Sequence, residues 1–332
     1  KKRIIKNLEN NEIQMVFGTH AIFQKKIIFA NLGYIIIDEQ HKFGVRQRKL
    51  LSDKGGDNCD VLLMSATPIP RTLTMSVYGD MDVSIIKEKP SNRKEVKTYS
   101  KLESKIDDVI NFVKKEIKEG NQIFWVCPLI EESEALNCQA AEASYQMLTE
   151  ALPNLRVGLV HGRMRPAEKE RVMKAFKKGL IKLLVATTII EVGVDVPNAN
   201  LMIIENAERM GLSQLHQLRG RVGRGEHQSY CFLLSETLSK ESRKRLEVLV
   251  RTNDGFEIAE ADLSLRGPGD FFGTRQSGLP TLRMASLQDK DLLSASKEQA
   301  INLFANSRQL DLLPALKEAV SRYLSAVAEE NA

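Results

Sequence analysis

The sequence predicts an α/β protein with parallel sheets, divided into more than one domain. Short apolar runs alternate with helical periodicities through most of the chain, which is the signature of α/β units around parallel sheets. Several of those runs end in acidic or hydroxyl residues, and α/β folds gather their ligands at the carboxyl ends of strands. The pattern also breaks twice. EKPSNRKEV, residues 88–96, interrupts it with Pro90, Ser91 and Asn92, and from Arg251 the strand alternation gives way to a glycine-rich stretch. The expected domains are therefore 1–92, 93–250 and 251–332, consistent with a length of 332 residues.

The elements follow in chain order. KKRIIKNLENN opens as an amphipathic helix, and QMVFG, YIIID and VLLMSAT read as strands of the first domain. YIIID has the continuous apolar character of a buried parallel strand. In VLLMSATPIPRT, Pro68 and Pro70 mark the start of a helix after the strand. The second domain opens on KIDDVINFVKKEIKEG, whose Ile106, Val109, Ile110, Val113 and Ile117 recur at helical spacing before Gly120 stops the helix. QIFWVCP, RVGLVHG, KLLVATT, NLMIIEN and SYCFLL supply its strands. After the glycine-rich stretch, LLSASKEQAINLFANS and PALKEAVSRYLSAVA predict two closing helices, so the last segment is mostly helical.

Composition narrows the function classes. A hydrophobic fraction of 42% and a charged fraction of 27% are ordinary for a globular protein. No apolar run approaches membrane-spanning length and no signal peptide precedes the basic start, so a cytoplasmic protein without membrane contact is expected. Cys59, Cys127, Cys138 and Cys231 are scattered, with no CxxC pair, and read as reduced thiols. The formal charge of +5 permits nucleic-acid binding without demanding it. The chain begins at Lys1 rather than Met, which predicts a piece of a longer protein.

Four constellations carry chemistry. Asp38 and Glu39 close a predicted strand: in a nucleotide hydrolase such an acid holds magnesium through its waters while its neighbour accepts a proton from attacking water. A solvated acid pair is the competing reading. Ser65 and Thr67 end the next strand, where small hydroxyls can sense what the acids hold, and Gly18-Thr19-His20 repeats the design earlier. QLHQLRGRVGRGEH, residues 214–227, sets Arg219, Arg221 and Arg224 among glycines, with Gln217 one turn earlier. Arginine's planar fork suits phosphate oxygens, and arginines presented to another domain's active site stabilise charge on a transferred phosphoryl group. Finally, Thr187 and Thr188 end a strand, with Gly193, Asp195 and Pro197 beyond; hydroxyls and amides there suit nucleic-acid phosphate, and Asp195 a ribose. His41 and His161 lack a second ligand at metal spacing, and Trp125 reads as core.

In order and spacing these blocks resemble the motor of superfamily-two helicases. DEQHKFGVRQR, LLMSATPIPRTLTMSVYGDMDVS, VCPLIEESE and ADLSLRGPGDFFGTRQSG are similar to the RecG family of bacterial fork-reversal helicases. The transcription-repair coupling translocases share the PIPRTL run and the last stretch, but tend toward Glu-Glu-Gln where this chain has Glu39-Gln40-His41. The resemblance implies RecA-like domains of the P-loop NTPase class, the first truncated, and a translocation segment after 251. It implies ATP and magnesium as cofactors, with Asp38 on the metal through water, Glu39 as general base, and Gln217, Gly193, Asp195, Arg221 and Arg224 at the nucleotide. Thr19, His20, Thr187 and Thr188 would hold DNA, His41, Ser65 and Thr67 would couple the sites, and Arg266 and Gln276 would pull duplex. Branched double-stranded DNA, as forks and Holliday junctions, is the implied partner, in a bacterial cytoplasm at the nucleoid. The family's phosphate loop is absent: the sequence holds no GxxxxGK[ST] and no Gly-Lys pair. The loop and the wedge domain are expected upstream of Lys1, leaving this piece with weak hydrolysis or as a non-hydrolysing DNA-binding module.

Overall fold

A computed structural model describes residues 2–24, 26–39, 54–55, 59–65, 82–86, 88, 94–127, 134–187, 196–237, 239–266, 289–306 and 310–330. By contact the chain divides into two units, residues 1–68 and 69–332. The expected boundary at 92/93 falls outside the described residues. Among the described residues no helix is long and apolar enough to cross a membrane.

In the first unit, helix α1 (Lys2–Glu9) precedes strand β1 (Tyr34–Ile37), which pairs in parallel with β2 (Asp60–Leu63). Ile35 and Ile37 are buried and pack with Leu32, Cys59 and Leu63. Two sequence expectations are corrected here. β1 is covered on one face only, with Tyr34 and Ile36 exposed, because side chains alternate across a strand and this unit packs one side of it. QMVFG forms no strand; Met15 and Phe17 are exposed, and a strand exists only where a neighbour accepts its ladder.

The second unit is a six-stranded, wholly parallel sheet in the order β3-β8-β7-β4-β6-β5. Its strands are β3 (Lys97–Leu102), β4 (Gln122–Cys127), β5 (Val157–Val160), β6 (Leu183–Thr187), β7 (Ala199–Ile204) and β8 (Tyr230–Ser235). Five were legible as apolar runs; β3, KTYSKL, was not, since it is an edge strand with an alternating polar sequence. Helices α2 (Ile106–Lys118) and α3 (Glu134–Ala151) cover one face. There Val109, Val113, Ala141 and Leu148 meet Ile123, Trp125, Leu183, Val185 and Ile203. Gly120 ends α2 in the left-handed region, φ +92°, as its position predicts.

The opposite face carries α4 (Pro166–Lys177), α5 (Leu212–Arg219), α6 (Lys240–Arg251) and α7 (Gly255–Arg266). Phe176, Leu212, Leu215, Leu246, Leu249 and Ile258 pack there on Phe124, Leu184, Met202 and Leu233. Covered on both faces, the central strands are buried at every position, which is why they read as unbroken apolar runs. Two further helices, α8 (Lys290–Asn306) and α9 (Pro314–Glu330), match the expected closing pair.

Candidate functional site

In the first unit, the acids sit where the sequence placed them, at the carboxyl end of β1. Asp38 is exposed, and its Oδ1 accepts the Glu39 backbone N–H at 2.9 Å. Glu39 turns the chain out of the strand in the left-handed region, φ +52°, a conformation that disfavours a side-chain-bearing residue. Met64 N–H donates to Ile37 O at 2.8 Å, so Ser65 lies at the same sheet edge as the acids. Asp38 is the exposed member of the pair, while Glu39 is half-buried with its Oε2 shielded from solvent. An exposed strand-end carboxylate is an oxygen donor of the kind magnesium takes while keeping most of its water. The donor set therefore fits a magnesium-bound nucleotide. Thr19 and His20 begin a 3-10 turn, His20–Phe23, in which Ile22 N–H bonds Thr19 O at 3.0 Å. A Cβ at Gly18 would stand 2.8 Å from Ile22 Cγ2, so a larger residue there would displace the Ile22 side chain. His41 and Thr67 lie outside the described residues.

In the second unit, the arginine-rich stretch resolves into two kinds of arginine. Arg219 is buried. Its guanidinium donates to Leu249 O at 2.7 Å, Thr252 O at 3.0 Å and Thr98 Oγ1 at 3.3 Å, and lies 3.0 Å from His216 Nδ1. Burial lowers its pKa from the usual arginine value. It ties α5 to α6 and β3 and cannot reach a ligand, which removes it from the phosphate-binding group suggested by the motif. Arg221 is half-buried and Arg224 exposed, both beyond the end of α5, while Gln217 is half-buried on the helix itself. Gly223, φ +78°, supplies the left-handed turn between the two arginines. A Cβ at Gly225 would stand 2.7 Å from Pro197 O, so the arginine loop runs directly against the strand-entry segment of β7.

Thr187 ends β6 but is fully buried, and its Oγ1 has no hydrogen-bond partner among the described residues. As placed it presents no surface to nucleic acid, since it is the last inward position of a strand covered on both faces. Thr188, Gly193, Asp195 and Gln276 lie outside the described residues, and Arg266 is the last residue of α7. His161 is buried with Nε2 3.5 Å from Glu142 Oε1. Among the described residues no cluster of His, Cys, Asp or Glu suits a metal ion by itself, and all four cysteines are free.

Some residues escaped the sequence reading. α7 packs on α5 and α6, and Ser213 on α5 donates to Asp262 Oδ2 on α7 at 3.3 Å. Asp262 is a buried acid within an otherwise apolar face, a signal that was present in ADLSL. Trp125 is core as expected, yet its indole N–H also donates to Glu205 at the exit of β7. The acid closing NLMIIEN was the available sign.

Comparison with known proteins gives one pattern. DEAD/DEAH box helicase matches residues 1–76, and Helicase conserved C-terminal domain matches 104–226. ATP-dependent DNA helicase RecG, domain 3, C-terminal, matches 252–320. A Bacillus subtilis protein named ATP-dependent DNA helicase RecG is 49% identical over 308 residues, covering 92% of this chain and 45% of the relative. Its Escherichia coli K12 namesake is 56% identical over 285 residues, 84% of this chain and 41% of the relative. A solved structure of RecG bound to a three-way DNA junction superimposes with TM-score 0.64 at 46% identity, covering 88% of this chain and 38% of that one. The chain thus spans less than half the length of these relatives.

Proposed function

The chain belongs to the RecG family of ATP-dependent DNA helicases, and from that premise we propose that it is motor machinery for moving double-stranded DNA at branches. The reading extends to fork regression and Holliday-junction branch migration in recombination and repair. The observation that carries it is the run of three matches in order, with a RecG-type domain directly after the helicase domain. That domain favours RecG over the transcription-repair coupling translocases. The named structural relative was solved on a three-way DNA junction, which supports a branched substrate for this chain as well.

When bound, magnesium-ATP supplies the cleavable phosphoanhydride and the charge that must be neutralised in its transition state. Asp38, exposed at the end of β1, would orient the metal's water shell, and Glu39 would accept the proton of the attacking water. Arg221 and Arg224 project from the loop after α5, where Gly223 and Gly225 fix the backbone, and would stabilise the developing negative charge. Gln217, Gly193 and Asp195 would complete the nucleotide contacts. Thr19, His20 and Thr188 would meet the DNA backbone, and Thr187 would do so only after local movement. His41, Ser65 and Thr67 would relay the state of the acids. α7 lies against α5 through Ser213 and Asp262, so a displacement of the arginine helix would reach the segment holding Arg266 and Gln276. Backbone contacts carry no sequence code, so junction shape would select the substrate.

The test is phosphate release with forked DNA, measured on two proteins. The 332-residue chain holds no phosphate-gripping loop and is expected to release little. Joined to the portion of the Bacillus subtilis relative that it does not span, it is expected to turn over with fork stimulation. In that joined protein Arg221→Ala should lower turnover by about a thousandfold, the scale of a lost arginine finger, with fork binding nearly unchanged. Robust turnover by the chain alone would overturn the half-site reading. Equal loss of binding and turnover in Arg221→Ala would overturn the finger role.

A further inference from the structure

Glu205 is a half-buried carboxylate that the proposed chemistry does not use. It follows directly on β7 and points to the face covered by α2 and α3. There its Oε1 accepts the Trp125 indole N–H at 2.5 Å, and the Ser144 hydroxyl lies 2.9 and 3.1 Å from its two oxygens. Its backbone N–H donates to Val126 O at 3.0 Å. One residue thus joins β4, α3 and the exit of β7.

The chain changes face immediately afterwards. Asn206 adopts the left-handed conformation, φ 46° and ψ 41°, and carries the backbone over the carboxyl edge of the sheet. Ala207 and Met210 are then buried in the core of the opposite face, and Arg245 of α6 donates to the Glu208 carbonyl. α5 begins at Leu212 and delivers Arg221 and Arg224 beyond its end. Glu205 is therefore the last residue pinned on one face before the segment that carries Arg221 and Arg224.

Stability alone gives no reason for an acid here. Burial pushes its carboxyl above the usual range, and well-packed apolar residues replace buried charges at little or no cost. What a carboxylate adds is directionality, since its two oxygens fix an indole and a hydroxyl from different elements.

We propose that Glu205 is a positioning residue: its clamp on Trp125 and Ser144 sets where the chain crosses the sheet edge, and so where Arg221 and Arg224 stand. The functional half of this inference rests on the arginine role proposed above; the clamp itself does not.

Trp125 is the single tryptophan of the chain, so its emission reports the clamp directly. In the 332-residue chain, Glu205→Ala should shift Trp125 emission and raise amide exchange across residues 206–224 about tenfold or more, with β5 and β6 unchanged. Glu205→Gln keeps an acceptor for the indole and should restore protection. Ser144→Ala removes one donor only and should give a smaller rise in the same segment, which keeps the test open even where Glu205→Ala fails to fold. In the joined protein, Glu205→Ala should lower kcat about tenfold with the KM for ATP nearly constant, and Glu205→Gln should recover it. Unchanged exchange in 206–224, or a rise spread evenly over the sheet, overturns the proposal. A local rise with intact kcat upholds the clamp but overturns its hold on Arg221 and Arg224, whose own role is judged by Arg221→Ala.

Discussion

Three arginines within six residues are placed differently: Arg219 is buried, Arg221 half-buried and Arg224 exposed. Arg219 shares one face of α5 with Leu212 and Leu215, at positions i, i+3 and i+7, so helical spacing already pointed it inward. The motif alone hid this, because Arg219, Arg221 and Arg224 look alike when read only as a basic cluster. Inside, the guanidinium satisfies two carbonyls and a threonine hydroxyl that would otherwise be stranded without water. Arg219→Ala should therefore destabilise the second unit by about 3 kcal/mol, the scale of breaking a buried charged network. Arg219→Lys should recover little, since an ammonium lacks the planar fork that spans three acceptors. Urea unfolding followed through Trp125 measures both, and a loss below about 0.5 kcal/mol, typical of a surface site, would show the bonds to be incidental.

At the scale of elements, what could be read depended on whether an element's partners were implied by its own sequence. The central strands β4, β6 and β7 are buried at every position, and their unbroken apolar runs announced it. β3 was missed because an edge strand needs only one apolar face, and KTYSKL supplies barely that. QMVFG was misread for the converse reason: an apolar run says nothing about whether a ladder neighbour exists. The arginine loop was legible as a glycine pattern, but the division of labour was not. Gly223 is needed for its backbone, φ +78°, and also for space, since a Cβ there would stand 2.9 Å from Val96 Cγ2. Gly220 has neither demand to that degree: its φ is negative and its nearest contact would be 3.3 Å from Gln217 O. Gly223→Ala should thus cost about 2 kcal/mol in denaturant unfolding through left-handed strain and the Val96 contact. Val96→Ala in the same chain should relieve the contact and return only part of it. Full recovery would mean that conformation contributes nothing.

Across the whole molecule, the motifs were legible because each is local, whereas the difference in core size between the two units depends on long-range packing. Among the described residues, the unit spanning 1–68 holds a two-stranded sheet packed through Ile35 and Ile37 with Leu32, Cys59 and Leu63. Two-stranded sheets are marginal in water, and this one leaves Tyr34, Ile36, Val61 and Leu62 exposed. The unit spanning 69–332 buries six strands between two helical layers with a large core on each face. Unfolding should therefore not be a single transition. In a urea series read by amide exchange, residues 34–37 should lose protection at lower denaturant than 122–127, 183–187 and 199–204. Supplying the remainder of the relative to the first unit should raise the denaturant needed for 34–37 while leaving the later strands where they are. Coincident loss in both units of the chain alone would mean that the acids at the end of β1 stand on a scaffold as firm as the one beneath the arginines.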